Sequence, residues 1–263
     1  MSRNSLKNIT QLIKQANDEL PIEQCFLNDL KRTIELTEQK NSRPPSKTYK
    51  PSSMNCIRNM YYQVIGADRE ESPVGYALVG ICNSGTDIHE RTQKYIDGMK
   101  ENGVDCEYIN VAEYVKSRNL SGIEIVEQKG METKLYHKRL NMSFMCDGII
   151  RYKGKYYIVE LKTETSYKWV SRKGVDQGHY NQAIAYSTAF GINKVLFIYI
   201  SRDTLDMKSY MFNVTDEMCK SFIERIEACD SYVNKHETPP KPAELNKKAC
   251  YYCPYKTQCE RDK

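Results

Sequence analysis

Residues 145–163 read MCDGIIRYKGKYYIVELKT, and the rest of the chain is organised around them. The stretch holds an acid at Asp147, a turn at Lys153-Gly154-Lys155, and a run over residues 156–161 whose Tyr, Ile and Val content favours a strand. Successive strand side chains point to opposite faces, so Glu160 and Lys162 share one face and Leu161 takes the other. Residues 148–152 are equally β-rich, and the short Gly-containing turn joins the two runs as a hairpin. Asp147 then lies across from the end of the second strand, near Glu160. Two carboxylates and an ammonium meeting there suit a hard divalent cation, with a positive charge beside it to orient water or neutralise a phosphate. The plain alternative is a surface hairpin with scattered charges, since short motifs often match by chance.

A chain of 263 residues fits one large domain, or one domain with appendages. Its 40% hydrophobic content is enough for a core, and its 28% charged content is that of a soluble protein. No run approaches the uncharged apolar length that a membrane span needs. The opening residues, MSRNSLKNITQLIKQ, lack the apolar centre of a signal peptide, so a cytoplasmic location is expected. The net charge of +5 permits a polyanionic partner without demanding one. Lys134, Lys138 and Arg139 form one basic group, Lys168, Arg172 and Lys173 a second, and Lys241, Lys247 and Lys248 a third. Each fits phosphate contacts or an ordinary solvated face.

Residues 5–40 read as two helices separated at Pro21: Leu6, Ile9, Leu12 and Ile13 repeat at helix spacing, then Ile22, Cys25, Phe26, Leu30 and Ile34. The stretch Asn41-Ser42-Arg43-Pro44-Pro45-Ser46 is a linker by composition. Residues 1–50 are thus a helical appendage that packs on the domain or on a protein partner, and residues 51–263 form the main domain. Ser52-Ser53 are expected to cap a helix that ends at Gly66. A further helix runs through residues 75–101, with His89 and Gln93 on one face. Strands are expected at residues 122–128, 134–140, 144–152 and 156–161, then a helix over residues 177–190. Residues 194–201, KVLFIYIS, read as a strand buried on both faces. A strand at residues 209–214 and a helix at residues 216–234 follow. Hairpin, crossover helix and buried strand in that order imply an α/β fold with at least one parallel pairing.

The ten cysteines are many for a chain without a signal peptide, and a disulfide scaffold is not expected. Cys250, Cys253 and Cys259 stand as Cys-x2-Cys-x5-Cys, a spacing that suits thiolate ligation of a metal and leaves a tetrahedral or cubane site one ligand short. Spacing alone leaves the fourth ligand open among Cys56 and the six other cysteines, and it leaves iron–sulfur and zinc both open.

Taken in order, these features resemble the RecB-like branch of the PD-(D/E)XK nucleases, specifically the members that carry an iron–sulfur cluster, such as the CRISPR adaptation nuclease, the AddB nuclease domain and phage-encoded exonucleases. The resemblance runs from about Ser52 to Cys259. It rests on Cys56 ahead of the core, Gly85-x3-His89, Asp147, Glu160-Leu161-Lys162, Gln182-x3-Tyr186, and the three closing cysteines. One departure is that Met145-Cys146, without proline, precedes Asp147. Residues 1–50 match nothing in the family.

The resemblance implies a restriction-endonuclease-like core with a central mixed sheet, and metal-dependent hydrolysis of DNA. The implied activity is that of an exonuclease acting on single-stranded or end-containing DNA in replication, recombination or repair. It implies that His89, Asp147, Glu160 and the Leu161 carbonyl bind Mg2+ or Mn2+, and an imidazole donor suits the transition metal. Lys162 would orient the attacking water or stabilise the phosphorane, and Gln182 and Tyr186, one helical turn apart, would support that end of the site. Cys56, Cys250, Cys253 and Cys259 would hold a structural [4Fe-4S] cluster, with zinc as the less favoured occupant. Tyr167, Trp169 and Tyr180, beside Arg172 and Lys173, are candidate contacts for unpaired bases and phosphates. Two rival readings are a catalytically silent DNA-binding or scaffold protein of the same fold, and a zinc hydrolase. The second lacks a His-Glu-x2-His pattern.

Overall fold

The computed structural model describes residues 20–41, 46–70, 74–242 and 250–262. Most of the first expected helix, linker residues 42–45, Lys247 and Lys248 lie outside the described residues. By packing, the chain divides into two units, one drawn from residues 1–44 and 72–83, the other from residues 45–71 and 84–263.

In the first unit, helix α1 (Ile22–Asn41) follows Pro21 as its composition predicts. Ile22 and Phe26 are exposed on it. Glu35 accepts a hydrogen bond from the Tyr76 backbone N–H at 3.0 Å. No helix among the described residues is long and apolar enough to cross a membrane.

The second unit is mixed α/β, with a central mixed sheet flanked by helices, as the sequence predicts. Its helices are α2 (Ile57–Ile65), the second half of α3 (Tyr76–Asp97), α4 (Val111–Ser117), α5 (Ser166–Ser171), α6 (Tyr180–Phe190), α7 (Asp216–Lys235) and α8 (Lys256–Arg261). Its strands are β1 (Cys106–Ile109), β2 (Ile123–Lys129), β3 (Glu132–His137), β4 (Met142–Cys146), β5 (Gly148–Tyr152), β6 (Lys155–Glu164), β7 (Lys194–Ser201) and β8 (Met207–Asn213). The main sheet has the order β1-β5-β6-β7-β8, and β2-β3-β4 form a smaller sheet. Among the named strands of the described residues, β6 and β7 are the pair that runs parallel, so the chain between them crosses over through α5 and α6.

Three local differences from the sequence reading bear on the site. Residues 144–152 do not form one strand: they divide between β4 in the small sheet and β5 in the main sheet, and Asp147 is the residue at the change. Ser52 and Ser53 do not cap α2. They sit in a 3-10 turn begun by Pro51, and Cys56 occupies the N-cap in extended conformation, without a side-chain cap bond. The third difference is the turn between β2 and β3. It contains only Gly130 and Met131, with Gly130 at φ +59°, so Glu132 starts β3 directly opposite Lys129. The expected turn at Lys153 and Gly154 is present, with φ of 49° and 75° and Tyr152 paired to Lys155, the geometry of a two-residue hairpin.

The core lies between the main sheet and its helices. Ile158, Val195, Phe197 and Tyr199 are fully buried there beside Ala183, Ala185 and Tyr186 of α6. Small alanines on α6 let that helix lie close to the sheet, which brings its polar residues to the edge of β6.

Candidate active site

The register of the β5–β6 hairpin sets Gly148 opposite Val159. Asp147 is therefore across from Glu160, one residue beyond the last backbone pair. In place of a further ladder bond, the Leu161 N–H donates to Asp147 Oδ2 at 2.6 Å. The N–H and C=O of one strand residue face the same edge, so the Leu161 carbonyl faces the Asp147 side as well.

Helix α3 supplies His89, whose Nδ1 lies 3.7 Å from Asp147 Oδ1. One turn later, Gln93 donates to the Asp147 backbone carbonyl at 2.6 Å. Gly85 explains how the helix approaches so closely: a Cβ there would stand 3.2 Å from Thr163 Oγ1 on β6. Burial opposes a charge on His89, but the neighbouring Asp147 carboxylate outweighs it and raises the imidazole pKa.

Glu160 and Lys162 share a face of β6, and Lys162 Nζ lies 2.6 Å from Glu160 Oε1. Gln182 of α6 completes the triangle, accepting from Lys162 at 3.0 Å and donating to Glu160 Oε1 at 3.2 Å. Tyr186 is buried behind it, with its hydroxyl 3.4 Å from Gln182 Nε2 and its ring against Phe144. Tyr186 thus reaches the acids through Gln182. Glu160 is 3% exposed, and its Oε2 is buried with no hydrogen-bond partner. Burial, then the Asp147 charge, pushes the Glu160 carboxyl up to about 7 against the pull of Lys162. A buried carboxylate oxygen without a donor is costly, and a cation is the partner that fits it.

Sequence reasoning missed Glu132. His89, Glu132 and Asp147 each place one ligating atom within 4.8 Å of the others. No local motif marks Glu132: the two-residue β2–β3 turn delivers it from the smaller sheet. Tyr108 of β1 holds the turn there, its hydroxyl lying 3.3 Å from the Met131 carbonyl and 3.0 Å from the Asp147 carbonyl.

Several expected contact residues are engaged internally. The Trp169 indole donates to the Tyr199 carbonyl at 3.0 Å, and Lys208 Nζ covers its ring at 4.1 Å. Tyr180 stacks on Phe212 with ring centres 4.5 Å apart. Arg172 forms a two-point pair with Glu164 at 2.6 and 2.7 Å and lies 3.9 Å above the Tyr199 ring. Tyr167, at 88% exposure, and Lys173 are the members of that set on the surface. Lys138 is exposed but paired with Glu124 at 2.7 Å, while Arg139 is exposed.

Cys56, Cys250, Cys253 and Cys259 line one cavity of about 410 Å³. Asn59 and Arg58 each direct an N–H to a sulfur, of Cys253 and Cys259 respectively, at 3.6 Å. Arg58, 1% exposed, also donates to the carbonyls of Pro239, Cys259 and Asp262, and Tyr62 donates to Asp262. Burial, together with nearby Cys56 and Cys259, raises the Cys253 pKa. On the other side of this cage, Asn55 accepts from Asn181 at 2.7 Å, and Asn181 precedes Gln182 on α6.

Solved structures similar to this chain include the following three. SSO0001 is 17% identical over 91% of this chain and 98% of its own, with a TM-score of 0.49. LHK-Exo, an alkaline exonuclease from Laribacter hongkongensis, is 10% identical over 73% of this chain and 90% of its own, at 0.45. Its complex with dAMP gives the same identity and coverage at 0.44. No family model and no curated protein matches the sequence.

Proposed function

We propose that this chain is a divalent-metal-dependent deoxyribonuclease that hydrolyses phosphodiester bonds. The observation that carries the reading is the partnerless, buried Glu160 Oε2 beside Asp147, with Lys162 on the other Glu160 oxygen. Catalytic roles fall to Asp147, Glu160, Lys162, His89, Gln182 and Tyr186. Mg2+ or Mn2+ would be held by Asp147, Glu160, His89 and the Leu161 carbonyl, where it would acidify a water and offset charge on the phosphate. Asp147 is fixed for this task by the Leu161 N–H, and its backbone by Gln93 and Tyr108. Lys162 places a positive charge where the attacked phosphate gains negative charge. Gln182 keeps that ammonium directed to the site by accepting one of its protons.

The four cysteines would hold a [4Fe-4S] cluster of structural role. Their shared cavity, with N–H groups directed at the sulfurs of Cys253 and Cys259, supports a bound group at the four thiols. DNA with a free end or single-stranded character is the expected substrate, with Tyr167 and Lys173 at hand for a base and a phosphate, and residues 1–50 are assigned to a protein partner in replication or recombination.

The test is digestion of 5′- and 3′-labelled single strands, duplexes and circles with Mg2+ and with Mn2+. Cleavage by the wild type, lowered about 10²–10³-fold in Lys162→Ala and at least as much in Asp147→Asn, is expected. Wild type and both variants at a common background would instead favour the silent DNA-binding reading. Resistance of circles to digestion would mark the requirement for an end.

A further inference from the structure

A second cavity, of about 460 Å³, opens beside the first residues of β6 and β7. Tyr156 lines it four residues before Glu160, about 13 Å along the strand from the acids. Its other walls are the end of α4, with Tyr114 and Arg118, and the passage from α6 into β7, with Phe190, Gly191 and Asn193. Tyr114 meets Phe190 edge-on with ring centres 6.1 Å apart, and Tyr156 stands 6.0 Å from Tyr114 on another side. The Tyr114 hydroxyl is fixed by the Phe190 carbonyl at 3.3 Å, while Tyr156 is 37% exposed. Gly191, at φ +69°, has no atom within 4 Å of where a Cβ would stand, so the chain turns there and leaves the mouth open.

The charge of this cavity is Arg118. Its guanidinium lies 5.3 Å from the Tyr156 ring centre and 5.7 Å from that of Tyr114, and among the described residues no ion pair joins it to a carboxylate. Residues 114–120, 155–157 and 189–194 add Lys116, Lys155 and Lys194 and contain no acid. Arg118 is also the C-cap of α4, where a cation is favourable, but that role requires neither the rings nor the cavity.

We propose that this cavity binds a mononucleotide, with its phosphate on Arg118 and its base against Tyr156. A guanidinium presents paired N–H donors that match phosphate oxygens, and an aromatic face accepts any base by stacking. Asn193 offers both a donor and an acceptor to the sugar or the base edge. Aromatic walls, a few polar groups and this volume are the features of small-molecule sites. The inference goes beyond the hydrolytic reading and does not depend on it, since none of the acids takes part.

The experiment is calorimetric titration of dGMP into the full chain in EDTA, so that no metal holds nucleotide at Asp147 and Glu160. Wild type and Asp147→Asn should bind one dGMP alike, and Arg118→Gln and Tyr156→Ala should each bind about tenfold more weakly or worse. Deoxyguanosine and inorganic phosphate, each lacking half of the ligand, should both bind more weakly than dGMP. No binding by the wild type, full affinity in Arg118→Gln, or loss in Asp147→Asn would overturn the inference, as would phosphate that binds as tightly as dGMP. Circular dichroism checks that the variants fold. Should Tyr156→Ala not fold, Arg118→Gln, at an exposed position, decides alone. A chain that binds dGMP in this way and cuts no DNA keeps the inference and loses the nuclease function.

Discussion

At Glu160, burial and the Asp147 charge move the carboxyl from 4.5 to about 7 in the metal-free protein. A group bound to its proton more tightly in the folded state stabilises the fold below its unfolded pKa, and that contribution is lost as pH rises through the folded value. Metal-free protein should therefore lose thermal stability between about pH 4.5 and 7 on account of this residue. Mg2+ or Mn2+ competes with that proton, so the rise in melting temperature on adding metal should be larger at pH 8 than at pH 5. Glu160→Gln should flatten both trends, as scanning calorimetry at the two pH values would show. A metal effect independent of pH would contradict the site's electrostatics. At His179, Nδ1 lies 2.9 Å from the Tyr199 hydroxyl, which also accepts the Asp176 N–H. Burial and nearby Lys162 lower this imidazole to about 4.

Among elements, the β5–β6 hairpin and α3 carry the site, and each depends on a glycine for close approach. Gly148→Ala should displace Tyr108 and release the Asp147 and Met131 carbonyls, costing about 1–3 kcal/mol in urea unfolding. Gly85→Val should push α3 off β6 at Thr163, and Mn2+ affinity should fall through His89 while the fold persists. Calorimetric titration would check this. The hairpin was legible in the sequence because Lys153-Gly154 between two alternating runs admits few structures and fixes the register. Gln182 and Tyr186 were legible as residues four apart on a helix. The break at Asp147 was not, since Asp147 and Gly148 sit between two β-rich runs and only tertiary pairing assigns those runs to two sheets. Glu132 was hidden for the same reason: its nearness to Asp147 comes from Tyr108 bridging two sheets, which no local pattern records. Composition also gave no sign that Trp169 and Arg172 have internal partners in the Tyr199 carbonyl and Glu164.

At the scale of the second unit, residues near position 56 and the chain's last described residues close around one cavity. A bound cluster would close a loop of nearly two hundred residues, and such closures stabilise by restricting the unfolded chain. Purified protein should be brown and contain iron and sulfide. Cys56→Ser should bleach it and lower its melting temperature, whereas a colourless wild type with one zinc per chain would remove the iron–sulfur assignment. Part of the tail's hold is independent of any metal: Tyr255 is 3% exposed and Arg58 donates to the tail carbonyls of Cys259 and Asp262. Removing residues 250–263 should accordingly destabilise more than Cys56→Ser does, by chemical denaturation.

The hydrogen bond from the Asn181 side chain to that of Asn55 leads from the cysteine-lined cavity to the residue before Gln182. An oxidant that reached only the sulfurs could, through that one link, loosen the grip on Lys162. Such poisoning at a distance would silence the acids while every one of them stayed chemically intact, and a lone Asn181→Ala exchange should reproduce it in air-free protein.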